Sequence, residues 1–388
     1  MEIERAKRLA ALPPYLFAEI DRLKNEVKAR GVDVVDLGVG DPDLPTPDHI
    51  IERLAQEARN PAHHRYPSYV GMREFRAEAA KWIEARFGVS FDPDTEVLAL
   101  IGSKEGVFHL PLGFVNPGDV VLIPNPGYPV YRAGTLFADG EPYDMPLLEE
   151  NGFLPSLDEI DSDAARRAKM MWINYPNNPT SAVATREFFE MAVDFAGRHG
   201  VILCHDMAYS EVSYDGFRPV SIMEIDGARD VAIEFHSLSK TYNMTGWRIA
   251  YAVGNPEIVS GLGAVKTNVD SGVFEAVQCA AIEALRCPQS VIQQTLDVYQ
   301  QRRDILCDGL REAGWNVEKP KAGFFVWTRT PGGRDCREVA STLLNEAGLV
   351  VTPGVGFGKY GEGYIRMSLT VDTARLEEAV ARFKKARL

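Results

Sequence analysis

Between about residues 96 and 254 the chain repeats one pattern: a short apolar run, a turn, then a stretch with helical periodicity. The runs lie near Val97, Val120, Tyr143, Met171, Ile202, Ala232 and Ala250. A strand buried on both faces needs such a continuous apolar run, and helical crossovers connect strands that run parallel. The pattern predicts an α/β fold on a largely parallel seven-stranded sheet, covered by helices on both faces and joined by right-handed crossovers. From about residue 285 the pattern changes to a long helical stretch through Gln293, Leu296, Tyr299 and Ile305, strands near Phe325 and Ile365, and a final amphipathic helix. A chain of 388 residues is long for one ordinary domain. The expected division is a large domain over 46–284 and a smaller α/β domain over 285–388, which the segment 1–45 joins through Asp33-Val34-Val35-Asp36-Leu37.

Open α/β sheets bind ligands at the carboxyl ends of their strands. The run near Ala232 leads into His236-Ser237-Leu238-Ser239-Lys240-Thr241-Tyr242-Asn243-Met244-Thr245-Gly246-Trp247-Arg248. A lysine in cationic or apolar surroundings has a lowered pKa, and only its neutral amine forms a Schiff base with a carbonyl. Ser237, Ser239 and Arg248 are of the types that converge on one phosphate. The run Val201-Ile202-Leu203-Cys204 ends in His205-Asp206-Met207-Ala208-Tyr209, which places an acid at a strand end; His205 reads as a packing or supporting histidine. Ile173-Asn174-Tyr175-Pro176-Asn177-Asn178-Pro179-Thr180 follows another run, and its prolines hold the preceding residues extended. Val97-Leu98-Ala99-Leu100-Ile101-Gly102-Ser103-Lys104 reads as strand, glycine turn and helix start, and a helix start binds phosphate through its free amides. Singly, each has a bland reading: a lysine after a strand is ordinarily solvated, and an aspartate there ordinarily caps a helix. Their order along one chain is what favours a site.

The segment around Lys240 resembles the Schiff-base signature of fold type I pyridoxal-phosphate enzymes of the class I/II aminotransferase branch, S-x-S-K followed by G-x-R. The resemblance implies pyridoxal 5'-phosphate as cofactor and Lys240 as catalytic base. It further implies Asp206 on the pyridine nitrogen, Asn178 and Tyr209 at the phenolic oxygen, and Tyr128 of Pro126-Gly127-Tyr128-Pro129 stacked on the ring. The phosphate is expected on Ser103, the Lys104 amide, Ser237, Ser239 and Arg248. Tyr66-Pro67-Ser68-Tyr69-Val70-Gly71-Met72-Arg73 resembles the family segment whose tyrosine crosses to a neighbouring subunit's phosphate; Tyr66 fits best and Tyr69 stays open. A homodimer with shared sites is therefore expected. Arg366, in Tyr364-Ile365-Arg366-Met367-Ser368, matches the arginine that clamps the substrate α-carboxylate. The family often has glycine after the N-P-T motif, where this chain has Ser181.

Over its whole length the chain is similar to the shorter members of the LL-diaminopimelate aminotransferase family, in which residues matching Tyr15 and Gly40 contact substrate. That implies transfer of an amino group from glutamate to tetrahydrodipicolinate. The alternatives are an aspartate, alanine or aromatic amino-acid aminotransferase, or a lyase on the same fold. Lys266, Asn268, Asp270 and Glu275 lie in the segment where related enzymes draw contacts to the distal end of the substrate from the neighbouring subunit. Pro353-Gly354-Val355-Gly356-Phe357-Gly358-Lys359 lacks the spacing of a dinucleotide loop and reads as a small-domain loop near the site mouth.

A net charge of −13 disfavours nucleic-acid binding, since no basic stripe is present to displace counterions. Five cysteines without C-x-x-C spacing argue for a reducing compartment and against a disulfide framework or a structural zinc site. With no apolar leader after Met1 and no run of membrane-spanning length, a cytoplasmic location is expected.

Overall fold

Alternation at the level of single residues builds the two faces of the central sheet. The computed structural model describes residues 3–12 and 16–386, and only the backbone of 16–19. The strands of the main sheet are β1 (Val97–Leu100), β2 (Val120–Asn125), β3 (Glu141–Pro146), β4 (Ala168–Asn174), β5 (Ile202–Asp206), β6 (Ala232–Ser237) and β7 (Ala250–Gly254). Met170 and Trp172 of β4 join one core with Ile123, Ile233 and Phe235, while Met171 and Ile173 join the other with Phe188, Phe189 and Leu203. A period of two sends successive side chains to opposite faces, so a strand buried on both sides is apolar throughout. Helices Ser103–Phe114, Val130–Phe137 and Pro256–Val269 cover one face; Arg73–Phe87, Arg186–His199 and Glu275–Arg286 belong to the other. Thr185 caps Arg186–His199 through the Phe188 N–H, and Gly200 ends it at φ +66°, a conformation glycine adopts without strain.

The strand order is β1-β7-β6-β5-β4-β2-β3. All pairs are parallel except those of β7, which runs against both β1 and β6. The carboxyl ends of the six other strands therefore share one edge with the amino end of β7. That edge carries Gly102, Gly127, Asn174, Asp206 and Ser237, and Arg248 just before β7. The seven strands predicted from apolar runs all form, with the expected largely parallel pairing.

The second unit is a three-stranded antiparallel sheet in the order Thr352–Pro353, Tyr364–Ser368, Phe325–Arg329. Helices Gln289–Glu312, Cys336–Ala347 and Thr373–Phe383 pack with it. Val35–Asp36 pairs in parallel with Leu349–Val350, which anchors the chain before the Gly38–Asp43 loop. That loop is held by Arg302, whose guanidinium takes both Asp43 oxygens at 2.7 and 2.9 Å. No helix among the described residues is long and apolar enough to cross a membrane.

Candidate active site

Lys240 sits two residues into a single helical turn, Leu238–Thr241, that starts where β6 ends. Ser237 caps this turn by accepting the Ser239 N–H at 3.2 Å, which aims the lysine across the sheet edge. Its Nζ donates to the Gly40 carbonyl at 3.1 Å and lies 5.3 Å from the centre of the Phe324 ring. Burial lowers the pKa of this amine to about 8, with the positive charges of Arg248 and Arg366 adding to the effect and Asp41 opposing it.

Asp206 is the last residue of β5 and is buried. One carboxylate oxygen, Oδ2, accepts the Tyr131 hydroxyl at 2.9 Å; the other, Oδ1, has no hydrogen-bond partner among the described residues. Burial raises its pKa, and the Tyr131 hydrogen bond partly offsets that. Tyr131 is itself clamped by stacking on Trp172 at 5.1 Å. Behind the acid, His205 is fully buried between Glu234, 2.8 Å from Nδ1, and the Tyr175 carbonyl, 3.0 Å from Nε2. His236 completes this network with a 2.7 Å contact to the other Glu234 oxygen.

Asn174 wires the next turn to Asp206. Its Nδ2 donates to the Asp206 carbonyl at 2.7 Å and its Oδ1 accepts the Asn178 N–H at 2.8 Å. The Asn178 side chain meets Arg366, whose Nη1 donates to its Oδ1 at 2.9 Å while Nη2 donates to the Gly38 carbonyl at 2.7 Å. The guanidinium lies 4.1 and 4.7 Å from the ring centres of Phe325 and Phe357. Burial lowers its pKa to about 10, so it stays charged at neutral pH. Tyr209 is buried with its ring 5.3 Å from Phe324 and 5.9 Å from Phe325, and burial raises its hydroxyl pKa.

The remaining positions form a polar cup. Ser103 opens helix Ser103–Phe114, so its amide and that of Lys104 are among the free donors of the first turn, while the Lys104 side chain is exposed. Gly102 precedes them at φ +75°, and a Cβ there would overlap the Arg248 guanidinium. Arg248 adopts φ +55° and donates to the Thr245 carbonyl at 2.8 Å, which turns it toward Gly102. Tyr128 stands edge-on to Tyr131 at 5.9 Å. Tyr66 and Tyr69 are 88% and 45% exposed. The Tyr15 expectation lies outside the described residues.

The sequence of this site and its fold both have close counterparts. The sequence model of the family described as aminotransferase class I and II matches residues 32–383. The chain is a class I and II aminotransferase. It is 58% identical over 385 residues to the LL-diaminopimelate aminotransferase of Syntrophobacter fumaroxidans, covering 99% of each chain. To the enzyme of the same name from Aquifex aeolicus it is 56% identical, covering 99% of this chain and 100% of that one. Among solved structures, apo-BacF from Bacillus subtilis superposes with a TM-score of 0.96 at 38% identity, covering 100% and 99% of the two chains. A Thermus thermophilus aspartate aminotransferase mutant superposes with a TM-score of 0.92 at 29% identity over the full length of both.

Several residues of this aminotransferase site escaped sequence reasoning. Tyr131 and Asn174 touch Asp206, yet Tyr131 sits on a helix with nothing local to mark it, and Asn174 belongs to a motif in which Asn178 drew notice. The loop Pro353–Lys359 reaches the site as anticipated: the Phe357 carbonyl accepts the Gly127 N–H at 2.8 Å and its ring packs on Arg366. Lys266 has its ammonium buried between Glu105 at 3.2 Å and Asp270 at 3.0 Å, the partners that a buried lysine needs. Glu105 in turn accepts the Ile101 N–H at 3.0 Å, so this ion cluster underpins the Gly102 turn. Asn268 bonds back to its own helix at the Ala264 carbonyl, and Glu275 bonds to His63.

Proposed function

We propose that this aminotransferase carries pyridoxal 5'-phosphate and transfers an amino group from glutamate to tetrahydrodipicolinate, giving LL-2,6-diaminopimelate and 2-oxoglutarate. The observation that carries the substrate is the 58% full-length identity to an enzyme named for it. The residues present fit the cofactor: a buried aspartate oxygen without a partner among the described residues, a part-buried amine of lowered pKa and a side-chain-free approach at Gly102 beside Arg248. When bound, the cofactor supplies a carbonyl for the amine and an electron-poor ring that accepts the electron pair released at the substrate Cα.

In this reading Asp206 would hold a proton on the ring nitrogen through Oδ1, which has no partner among the described residues, and Tyr131 keeps that carboxylate in place. Asn178 and Tyr209 would hold the phenolic oxygen, Tyr128 would cover the ring, and Ser103, the Lys104 amide, Ser237, Ser239 and Arg248 would bind the phosphate. Arg366 would pair with the substrate α-carboxylate and so fix which Cα bond is presented to Lys240. Lys240 Nζ then takes the Cα proton; with a pKa near 8 it is neutral in part at neutral pH and basic enough to do so. The Gly40 carbonyl, which now accepts from Lys240, would lie on the substrate side of the pocket. Tyr66 or Tyr69 completes the phosphate site of a second copy in a homodimer, in keeping with their exposure.

The test is the visible absorption of the purified protein. LL-diaminopimelate should bleach the band of the bound cofactor and 2-oxoglutarate should restore it. A band indifferent to diaminopimelate but responsive to aspartate, alanine or an aromatic amino acid would refute the substrate and keep the reaction; consumption without dependence on a keto acid would point to a lyase.

A further inference from the structure

Helix Asp48–Glu57, the short 3-10 helix Pro61–His64 and helix Glu275–Arg286 bring Glu57, His63 and Cys279 together, one ligand-type atom from each lying within 4.8 Å of the others. His63 Nε2 is 3.0 Å from Glu57 Oε2 and 4.0 Å from Cys279 Sγ. A tetrahedron of ligands around Zn²⁺, with bonds of about 2.0–2.3 Å, has edges of about 3.3–3.8 Å. The two separations from His63 therefore stand within a few tenths of an ångström of such edges, and the Glu57–Cys279 separation, under 4.8 Å, closes to one by a side-chain adjustment of about 1 Å or less.

The surroundings are those of a built site. The other ring nitrogen, Nδ1, hydrogen-bonds Glu275 Oε2 at 2.7 Å, the second contact that a metal-bound histidine commonly makes. Arg53 pairs with the far oxygen of Glu57 at 2.8 Å, which leaves Oε2 directed at His63. Cys279 is only 8% exposed, and its thiol points into the cluster with the 4.0 Å approach to His63 as its described polar contact. His63 and Glu57 keep a little side-chain exposure, 12% and 14%, so water has access to a fourth position. A carboxylate, an imidazole and a thiolate together suit a borderline-soft divalent ion better than Mg²⁺ or Ca²⁺, which take oxygen ligands.

We propose that Glu57, His63 and Cys279 bind one Zn²⁺ ion, with Glu275 orienting the histidine and a water completing the coordination. On binding, Cys279 gives up its thiol proton and His63 its Nε2 proton to solvent, and Zn–S, Zn–N and Zn–O bonds form in their place. The lack of C-x-x-C spacing argues against a structural zinc site in the sequence alone, and the proposal departs from that reading because His63 and Cys279 are 216 residues apart and meet only in the fold. The ion ties the turn bearing His63 to helix Glu275–Arg286, and so fixes the start of the exposed stretch that carries Tyr66 and Tyr69.

The cofactor-loaded enzyme, stripped with a chelator and dialysed, is titrated with ZnCl₂ against a chromophoric competitor, beside His63→Gln, Cys279→Ser and Glu275→Gln. The wild type should take up one Zn²⁺ per chain. Affinity should fall roughly 100-fold in His63→Gln and Cys279→Ser and about 10-fold in Glu275→Gln. Co²⁺ should give the ligand-field bands of a tetrahedral thiolate site, absent in Cys279→Ser, while circular dichroism verifies that each variant is folded. No uptake by the wild type overturns the proposal and leaves His63 as an ion-pair bridge between Glu57 and Glu275. Equal uptake by the wild type and all three variants overturns it too, as adventitious metal.

Discussion

With its nitrogen 3.1 Å from the Gly40 carbonyl and facing the Phe324 ring, Lys240 has lost most of the water that would stabilise its charge. The folded amine releases its proton at about 8 and a solvated lysine at 10.5. Between those values the unfolded chain binds more protons, so the penalty this group imposes on folding is full below pH 8 and shrinks as pH rises across the window. In cofactor-free protein, Lys240→Met should therefore stabilise the fold at pH 7 by on the order of 1–3 kcal/mol and by less at pH 10, measured by denaturant unfolding. A gain independent of pH would mean that desolvation is not the cause. Arg366 offers the complementary test. Its two Nη donors already hold two acceptors 2.9 and 2.7 Å away, the two-pronged geometry that a carboxylate matches and a lysine cannot reproduce. Arg366→Lys should cost about 2–3 kcal/mol, roughly a 30- to 150-fold fall in kcat/KM for the amino donor. Steady-state kinetics that show less than a threefold change would remove Arg366 from the carboxylate site.

Strand ends and the turns after them carry most of the site. Their legibility came from local physics: an apolar run fixes a buried strand, and glycine, proline or asparagine fixes where it stops. Ser181 shows what that reading leaves out. It adopts φ +57°, a left-handed conformation that costs a non-glycine residue about 1–2 kcal/mol. Its hydroxyl donates to the Phe325 carbonyl at 2.7 Å, which ties the Asn178 turn to the strand behind Arg366. Glycine at this position would be relaxed but untied; alanine would be both strained and untied. We expect unfolding free energies in the order wild type, Ser181→Gly, Ser181→Ala, with the alanine variant about 1–3 kcal/mol below wild type. An alanine variant as stable as wild type would show that the hydrogen bond contributes nothing.

For the whole molecule, the proposal that Tyr66 or Tyr69 completes the phosphate site of a second copy predicts complementation between two defective chains. An inactive Lys240→Ala chain mixed with a Tyr66→Ala chain would form some pairs in which one site has an intact lysine from one copy and an intact tyrosine from the other. Activity above the sum of the two separate preparations is expected after mixing and brief unfolding and refolding. The same mixing with Tyr69→Ala identifies which tyrosine crosses. A simple sum in both cases would place neither tyrosine in a partner's site.

The amino-acid sequence by itself determined the seven strands, their largely parallel order and the chemistry-bearing residues at their ends, because steric period and burial act over a few neighbours along the chain. Only the tertiary structure decided how those residues behave. The depressed pKa of Lys240 depends on water removed by Gly40 and Phe324. The grip of Arg366 on Asn178 spans 188 positions, and that of Tyr131 on Asp206 spans 75. The His63–Cys279 meeting belongs to the same class, since two distant helices must dock before a ligand set exists. Local conformation is encoded nearby in sequence, whereas dielectric and long-range distance are properties of packing, and they appear only when the layers have closed.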